Sequence, residues 1–338
     1  MVGNVRSGFR ARTAALFLAM LAGNPLALSQ AKSAAEQSDK QSAPVAGGQR
    51  VFTCGHSFHV FVYRLVGEMA QAAGFEDHQS VGLSRIGGSR VIQHWDVPER
   101  KNEAKAALRA GKVDVLTLSP IWLPDAGIEK FAKLGLEHNP EIRITVQEFW
   151  LPNDTYEPIY PLDVRKKVDH NATDLADLRE KQTRYLQDLD DYVRGINQEQ
   201  GKDAAFVVPV GQAALALREK IAAGQAPGLE MQWDLFRDPW GHPQPPLTVL
   251  SGYCHFAVIY RRSPVGLPLP EELVRYRRII SDVGLRKPGW RPSPEEVAKA
   301  ESLTENEKEN LNRLLQELAW DAVTKHPLSG VKARSQAE

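Results

Sequence analysis

From Arg50 to Arg261 the chain alternates apolar runs of strand length with amphipathic stretches of helix length, and that alternation permits few folds. A strand followed by a helix and another strand is the pattern of a parallel pair, because parallel neighbours need a crossover. Helices then cover both faces of the sheet, so the expected class is α/β. Strands are expected at residues 50–54, 78–83, 113–118, 142–150 and 204–210. Helices are expected at 60–73, where Phe61, Leu65, Met69 and Ala73 recur every four residues before Gly74, and at 98–110, between Pro98 and Gly111. Further helices are expected at 125–137, at 174–200 with Asp174 as N-cap, at 212–223, and at 247–261 with Leu250, Cys254 and Val258 on one stripe. Past Pro264 the chain reads as helical and charged, ending in 305–325, where Leu311, Leu314, Leu315 and Leu318 form an apolar stripe suited to core packing. Two connections are long: residues 151–173, rich in Pro and Asp, and residues 225–246, rich in Pro and Trp.

Open sheets of this kind carry their sites outside the carboxyl ends of the strands. The first strand ends in Cys54-Gly-His-Ser57-Phe-His59, which puts a hydroxyl between a strand end and a helix start. There an alkoxide would meet unpaired backbone N–H groups and the positive end of a helix. Two readings of Ser57 stand, a nucleophile and a helix N-cap. Some 180 residues later Asp238-Pro-Trp-Gly-His242-Pro places a carboxylate and an imidazole in one short loop, so base and orienting acid are available. Turn roles for Asp238 before Pro239 and His242 before Pro243 are the plainer reading. Gly87-Gly88, Ser119 and Asn153 also follow expected strands, and Gly87-Gly88 alone would serve as a positive-φ turn. His56 and His59 read as packing residues. Trp122, Trp150, Trp233 and Trp240 are either core aromatics or the walls of a sugar-binding cleft.

Residues 1–29 read as an export signal: Arg6, Arg10 and Arg12, then an apolar stretch from Thr13 to Ala22, then small residues near Ala27-Leu-Ser29. The stretch is too short to span a bilayer, and Asn24-Pro25 limits it, which disfavours an uncleaved anchor. Residues 30–48, rich in Ala, Ser, Gln and Lys without an apolar period, read as a disordered linker. The expected organisation is completed by a catalytic-type domain at 49–268 and a helical extension at 269–338 packed on it. Basic and acidic residues balance at 42 each, so nothing marks a nucleic-acid or anionic membrane partner. Cys54 and Cys254 are the only cysteines and both sit in apolar context, so two buried thiols are expected rather than a disulfide framework. His56 and His59 lack the further ligand pair of a zinc site, and no metal or other cofactor is expected.

Across roughly residues 50–268 these blocks resemble the SGNH (GDSL-like) hydrolases, esterases on a flavodoxin-like three-layer α/β/α sandwich. Gly55-His-Ser57-Phe resembles the family's first block, Gly87-Gly88 its second, and Asp238-Pro-Trp-Gly-His242-Pro with the following helix its last. The resemblance implies Ser57 as nucleophile, His242 as base and Asp238 as its orienting acid, with backbone N–H groups of Ser57 and Gly88 or Gly87 binding the oxyanion. It implies an ester substrate, plausible forms being acylated carbohydrates. Two departures accompany it. The family's Gly-x-Asn-Asp after the third strand is replaced by Leu118-Ser-Pro-Ile-Trp-Leu-Pro-Asp125, leaving Ser119 or Asn153 as candidate donors. The Asp–His separation is one residue longer than the family's, which is expected to loosen the Asp238–imidazole contact. A glycan-binding or structural protein on the same fold is the alternative.

Overall fold

β1 (Arg50–Gly55) is the pivot of the molecule, paired in parallel with β2 (Gln79–Arg85) on one side and β3 (Val115–Leu118) on the other. The computed structural model describes residues 43–156, 168–279 and 292–332, all within the unit Ser42–Glu338. β4 (Arg143–Glu148) and β5 (Ala205–Pro209) complete a five-stranded sheet of order β2-β1-β3-β4-β5, every pair parallel. That order is the flavodoxin-like doubly wound arrangement, with its topological switch at the β1/β3 ends. The molecule is a three-layer α/β/α sandwich with a helical C-terminal region.

The crossovers are α1 (Val62–Ala72), α2 (Val91–Trp95), α3 (Glu103–Arg109), α4 (Ala126–His138) and α5 (Leu175–Gln200), and α6 (Val210–Ala222) follows β5. After them come α7 (Pro245–Tyr260), the single turn α8 (Glu271–Val274), α9 (Pro294–Ala298) and α10 (Glu305–Lys325). A two-residue antiparallel pair, β6 (Arg277–Arg278) with β7 (Glu301–Ser302), joins the ends of that last region. Alternating strand residues divide the core between two faces. Val51, Val115 and Val208 pack with α1, α6, α7 and α10, while Phe52, Cys54, Leu116, Leu118 and Ile144 pack with α3, α4 and α5. Cys54 and Cys254 are both buried, both free, and belong to these opposite cores.

The expected helix at 98–110 is broken at Asn102. Its side-chain oxygen accepts from Lys105 N at 3.0 Å to cap α3, while its amide donates to the His94 carbonyl at 2.9 Å. A residue spent on capping one helix and closing the previous one cannot continue a single helix through both. α2 itself was not anticipated, because five residues are too few to show a period. Asp125 accepts from Gly127 N at 3.1 Å as the cap of α4, and from Val91 N and Ile92 N at 2.7 and 2.9 Å. One carboxylate therefore serves the amino ends of two helices. Asp174 caps α5 as expected, accepting from Ala176 N at 2.8 Å, and Gly201 ends it at φ +67.

α7 has no polar face, and nearly every residue from Leu247 to Tyr260 is buried. It is packed among α1, α6 and α10, so no side of it meets water. α10 is fixed to it by polar as well as apolar contacts: Tyr253 Oη donates to Asn312 Oδ1 at 2.5 Å, and Gln316 Nε2 donates to Tyr253 Oη at 3.3 Å. Contacts to the domain are made before the expected boundary at 49. Val45 N donates to the Tyr260 carbonyl at 3.0 Å, and Gly48 N donates to Asp77 Oδ1 at 2.7 Å. A Cβ at Gly48 would lie 2.3 Å from the backbone at Asp77 and His78, so only glycine passes there. Residues 43–48 are thus docked rather than part of a linker. The expected export signal, and most of the expected linker, lie outside the described residues. Among those residues no helix is long and apolar enough to cross a membrane.

Candidate active site

β1 delivers Gly55, His56 and Ser57 to the carboxyl rim, where the chain winds into a turn instead of entering a helix directly. The His56 carbonyl accepts from both His59 N and Val60 N at 2.9 Å, and α1 starts only at Val62, preceded by Phe61 with no side-chain cap. Ser57 is therefore no helix cap. A Cβ at Gly55 would fall 2.2 Å from His59 Nδ1, so the absent side chain leaves room for the His59 ring under the turn.

Ser57 Oγ instead meets His242 Nε2 at 2.9 Å, across 185 residues of chain. On the far side of the ring, His242 Nδ1 lies 2.7 Å from Asp238 Oδ2. Ionised Asp238 can only accept, so Nδ1 carries the proton, and the Nε2 lone pair is turned to the Ser57 hydroxyl. Asp238 is fully buried, and His242 shows only a narrow edge. Phe58 stacks on the imidazole at a centroid distance of 5.0 Å and an angle of 19°, and Trp240 lies nearly parallel at 5.9 Å.

The longer Asp–His separation does not loosen this contact, contrary to expectation. Gly241 takes φ +85, its N–H donates to the Asp238 carbonyl at 2.9 Å, and the extra residue is absorbed in the resulting turn. Asp238 Oδ1 accepts from Trp240 N and His242 N at 3.1 and 3.2 Å. The carboxylate thus closes its own loop and orients the ring with its other oxygen.

The remaining candidates separate. Gly87 and Gly88 are exposed just past β2, next to the Ser57 turn, since Ile86 N donates to the Gly55 carbonyl at 3.2 Å. Gly88 has φ +59, and a Cβ on either glycine would meet nothing within 4 Å. Among the described residues none accepts a hydrogen bond from the N–H of Ser57, Gly87 or Gly88. Ser119 is buried, with Oγ 3.2 Å from His56 Nε2, so its hydroxyl supports the turn from below. Asn153 lies against the histidine loop, its N–H directed to the Trp240 carbonyl at 3.4 Å. Its backbone has φ +54, the residue is 3% exposed, and its amide oxygen has no hydrogen-bond partner among the described residues. Left-handed backbone at a buried non-glycine residue is a conformation that surrounding structure must impose.

Three of the four tryptophans considered for a sugar cleft are core residues: Trp122, Trp150 and Trp233 are each at most 6% exposed. Only Trp240 remains at the rim. Trp150 has a different task, donating its indole N–H to the Gly241 carbonyl at 2.8 Å and so pinning the histidine loop to the end of β4.

A buried polar set lies behind the Ser57 turn. Gln147 Nε2 donates to the Phe58 carbonyl at 3.1 Å, and its Oε1 faces His255 Nε2 at 2.9 Å. His59 Nε2 pairs with Thr117 Oγ1 at 2.9 Å. On the other side His94 bridges Ser84 Oγ at 2.7 Å and Ser89 Oγ at 2.8 Å, anchoring the base of the glycine loop. Burial pushes His56 and His255 down to about 3 and His94 to about 4, so these rings are neutral supports. Sequence reading missed Gln147, His94 and His255, since isolated polar residues in apolar segments announce no partner. Among the described residues no three His, Cys, Asp or Glu side chains are grouped to hold a metal ion.

No protein-family model matches this chain, and no curated protein does. Among solved structures the chain is similar to a DUF4886 family protein from Bacteroides uniformis ATCC 8492, with 14% identity, a TM-score of 0.44, and coverage of 82% of this chain and 95% of that one. It is also similar to a protein provisionally described as an SGNH hydrolase from Slackia heliotrinireducens, with 14% identity, a TM-score of 0.38, and coverage of 62% of this chain and 98% of that one. Likenesses this distant carry no statement about activity.

Proposed function

We propose that this protein is a serine ester hydrolase acting through an acyl-enzyme. The observation that carries the reading is the continuous hydrogen-bonded line from Ser57 Oγ through His242 to the buried Asp238. His242 Nε2 takes the Ser57 proton as Oγ attacks the ester carbonyl, forming the C–O bond of a tetrahedral intermediate. The imidazolium so formed is stabilised by Asp238, and it returns the proton to the leaving alcohol as the acyl-enzyme forms. Water then attacks the acyl carbonyl by the same route and frees Ser57. The N–H groups of Ser57 and of Gly88 or Gly87 are the donors we assign to the oxyanion, each worth roughly 3 kcal/mol of transition-state stabilisation. Asn153, buried beside the histidine loop, is the side-chain donor we favour over Ser119, whose hydroxyl is engaged by His56.

The finer reading is an exported enzyme removing acyl groups from a carbohydrate. The leader-like composition of residues 1–29 supports the export, and the family resemblance supports the substrate class. A fluorophosphonate probe tests the chemistry: wild-type protein is labelled at Ser57, and Ser57→Ala is not. Acetylated sugars and short aryl esters, assayed on both proteins, then identify the substrate. Unlabelled wild-type protein that binds a glycan array would replace the enzyme with a binding module.

A further inference from the structure

The loop bearing Asp238 is gripped from behind by a second histidine. His170 is wholly buried, with Nδ1 2.9 Å from Asp154 Oδ2 and Nε2 3.1 Å from the backbone carbonyl of Asp238. A carboxylate and a carbonyl both accept only, so both ring nitrogens face acceptors. A neutral imidazole has one N–H and would aim its lone pair at one of those oxygens. The imidazolium alone satisfies both contacts.

The surroundings suit a cation. Asp154 Oδ2 also receives the Thr173 hydroxyl and Arg218 Nη2 at 3.0 Å, and its Oδ1 receives Arg218 Nη1 at 2.6 Å. Although burial opposes its charge, His170 and Arg218 hold the Asp154 carboxyl well below the usual carboxylate range. Aromatic rings line the imidazole, Phe236 at 4.3 Å and Trp233 at 4.7 Å between centroids, and such faces attract cations. Among the described residues the charged groups facing this pocket are Asp154 from the turn after β4, Arg218 from α6, and Asp169, whose carboxylate takes the Trp233 indole N–H at 2.7 Å. Asp154 sits at φ +50 directly after Asn153, so the turn holds its left-handed backbone where this carboxylate meets the pair of cations.

We propose that His170 is held as an imidazolium and acts as a positioning residue, fixing the Asp238 carbonyl so that the carboxylate meets His242. The role rests on the hydrolase reading, whereas the charge state of His170 does not. Nitrogen-15 spectra of wild-type protein labelled at histidine test the charge: at pH 7 both His170 nitrogens should show protonated shifts and one-bond N–H couplings. A neutral tautomer overturns the proposal without any variant having to fold. The positioning is read from the low-field proton of the His242 Nδ1–H to Asp238 bond, which reports geometry whether or not the protein turns over ester. In His170→Asn and in Asp154→Asn, each compared with wild type well below its own melting temperature, that proton should shift upfield or exchange away. Fluorophosphonate labelling of Ser57 should slow at least tenfold, with probe affinity little changed. A retained low-field proton and unchanged labelling in both folded variants overturn the role. If wild type is itself unlabelled, the hydrolase reading fails, and the two spectroscopic results still decide the clamp.

Discussion

Two loops meet at the rim beside Ser57, and they are built in opposite ways. The loop from Asp238 to His242 is buried and held on every side: by its own carboxylate, by the Trp150 indole at Gly241, by the Asn153 N–H at Trp240 and by His170 at Asp238. The loop carrying Gly87 and Gly88 is exposed and, among the described residues, is tied only at its ends, by Ile86 to β1 and by Ser89 to His94. Proton transfer requires atoms fixed within tenths of an ångström, while an oxyanion loop must leave space for substrate. On the proposed hydrolase reading, the contrast locates rigidity on the acid–base side and access on the other.

The sharpest way to break this contrast is Asp238→Asn. The 2.7 Å bond predicts that ester turnover falls by roughly three to four orders of magnitude, because an amide cannot hold the required tautomer. A loss within tenfold in steady-state assays would mean that the buried side does not set the chemistry. On the exposed side, Gly88→Ala should lower kcat by about 10–100-fold through a displaced backbone donor. Its melting temperature should fall only modestly, since φ +59 is strained for alanine but the new Cβ meets no atom. Equal activity in Gly88→Ala would remove this loop from the oxyanion site.

How much of this was legible follows from the range of each signal. The five strands and the long helices were, since burial imposes periodicities of two and 3.6 along contiguous residues. Ser57, His242 and Asp238 were too, because each stands in a short loop of turn-forming residues. The closeness of the Asp238 contact was not, because it depends on a positive φ at Gly241 that spacing alone does not convey. His170 and Asp154 were invisible for a stronger reason: their partner Arg218 lies on another element, and no local pattern links them. The apolar stripe expected on α7 was only part of its buried surface, because neighbours enclose it on all sides.

Acid should expose the histidine supports of both loops together. His56, His94 and His255 are neutral in the fold down to about 3 or 4 but protonate near pH 6.5 when unfolded. The unfolded chain then binds more protons, so stability is lost as pH falls from about 6.5 towards 4. Glu148, raised to about 7 by burial, works the other way across part of that window, but it is outnumbered, since burial also holds His59 well below its ordinary value. The unfolding free energy from urea titration should drop steeply between pH 6.5 and 5, by at least about 2–3 kcal/mol per pH unit. A flat profile would show that these rings do charge in place. The smallest effect belongs to Ser119→Ala, where turnover should change by no more than about threefold, because that hydroxyl serves His56 beneath the turn. A larger loss would return Ser119 to the reacting centre.

The shared carboxylate of Asp125 gives the open side a hidden mechanical partner. Because it holds the start of α2 and the start of α4 at once, the segment following the glycines cannot swing outward independently. Gly127 tightens this union, since a methyl there would press within 2.3 Å of the Ile92 nitrogen. If the hydrolase proposal holds, a substrate that demands more room must shift a thirteen-residue helix along with the lip it pushes against. On the proposed hydrolase reading, bulky acyl groups would press on that joined pair of helices, and small ones would not.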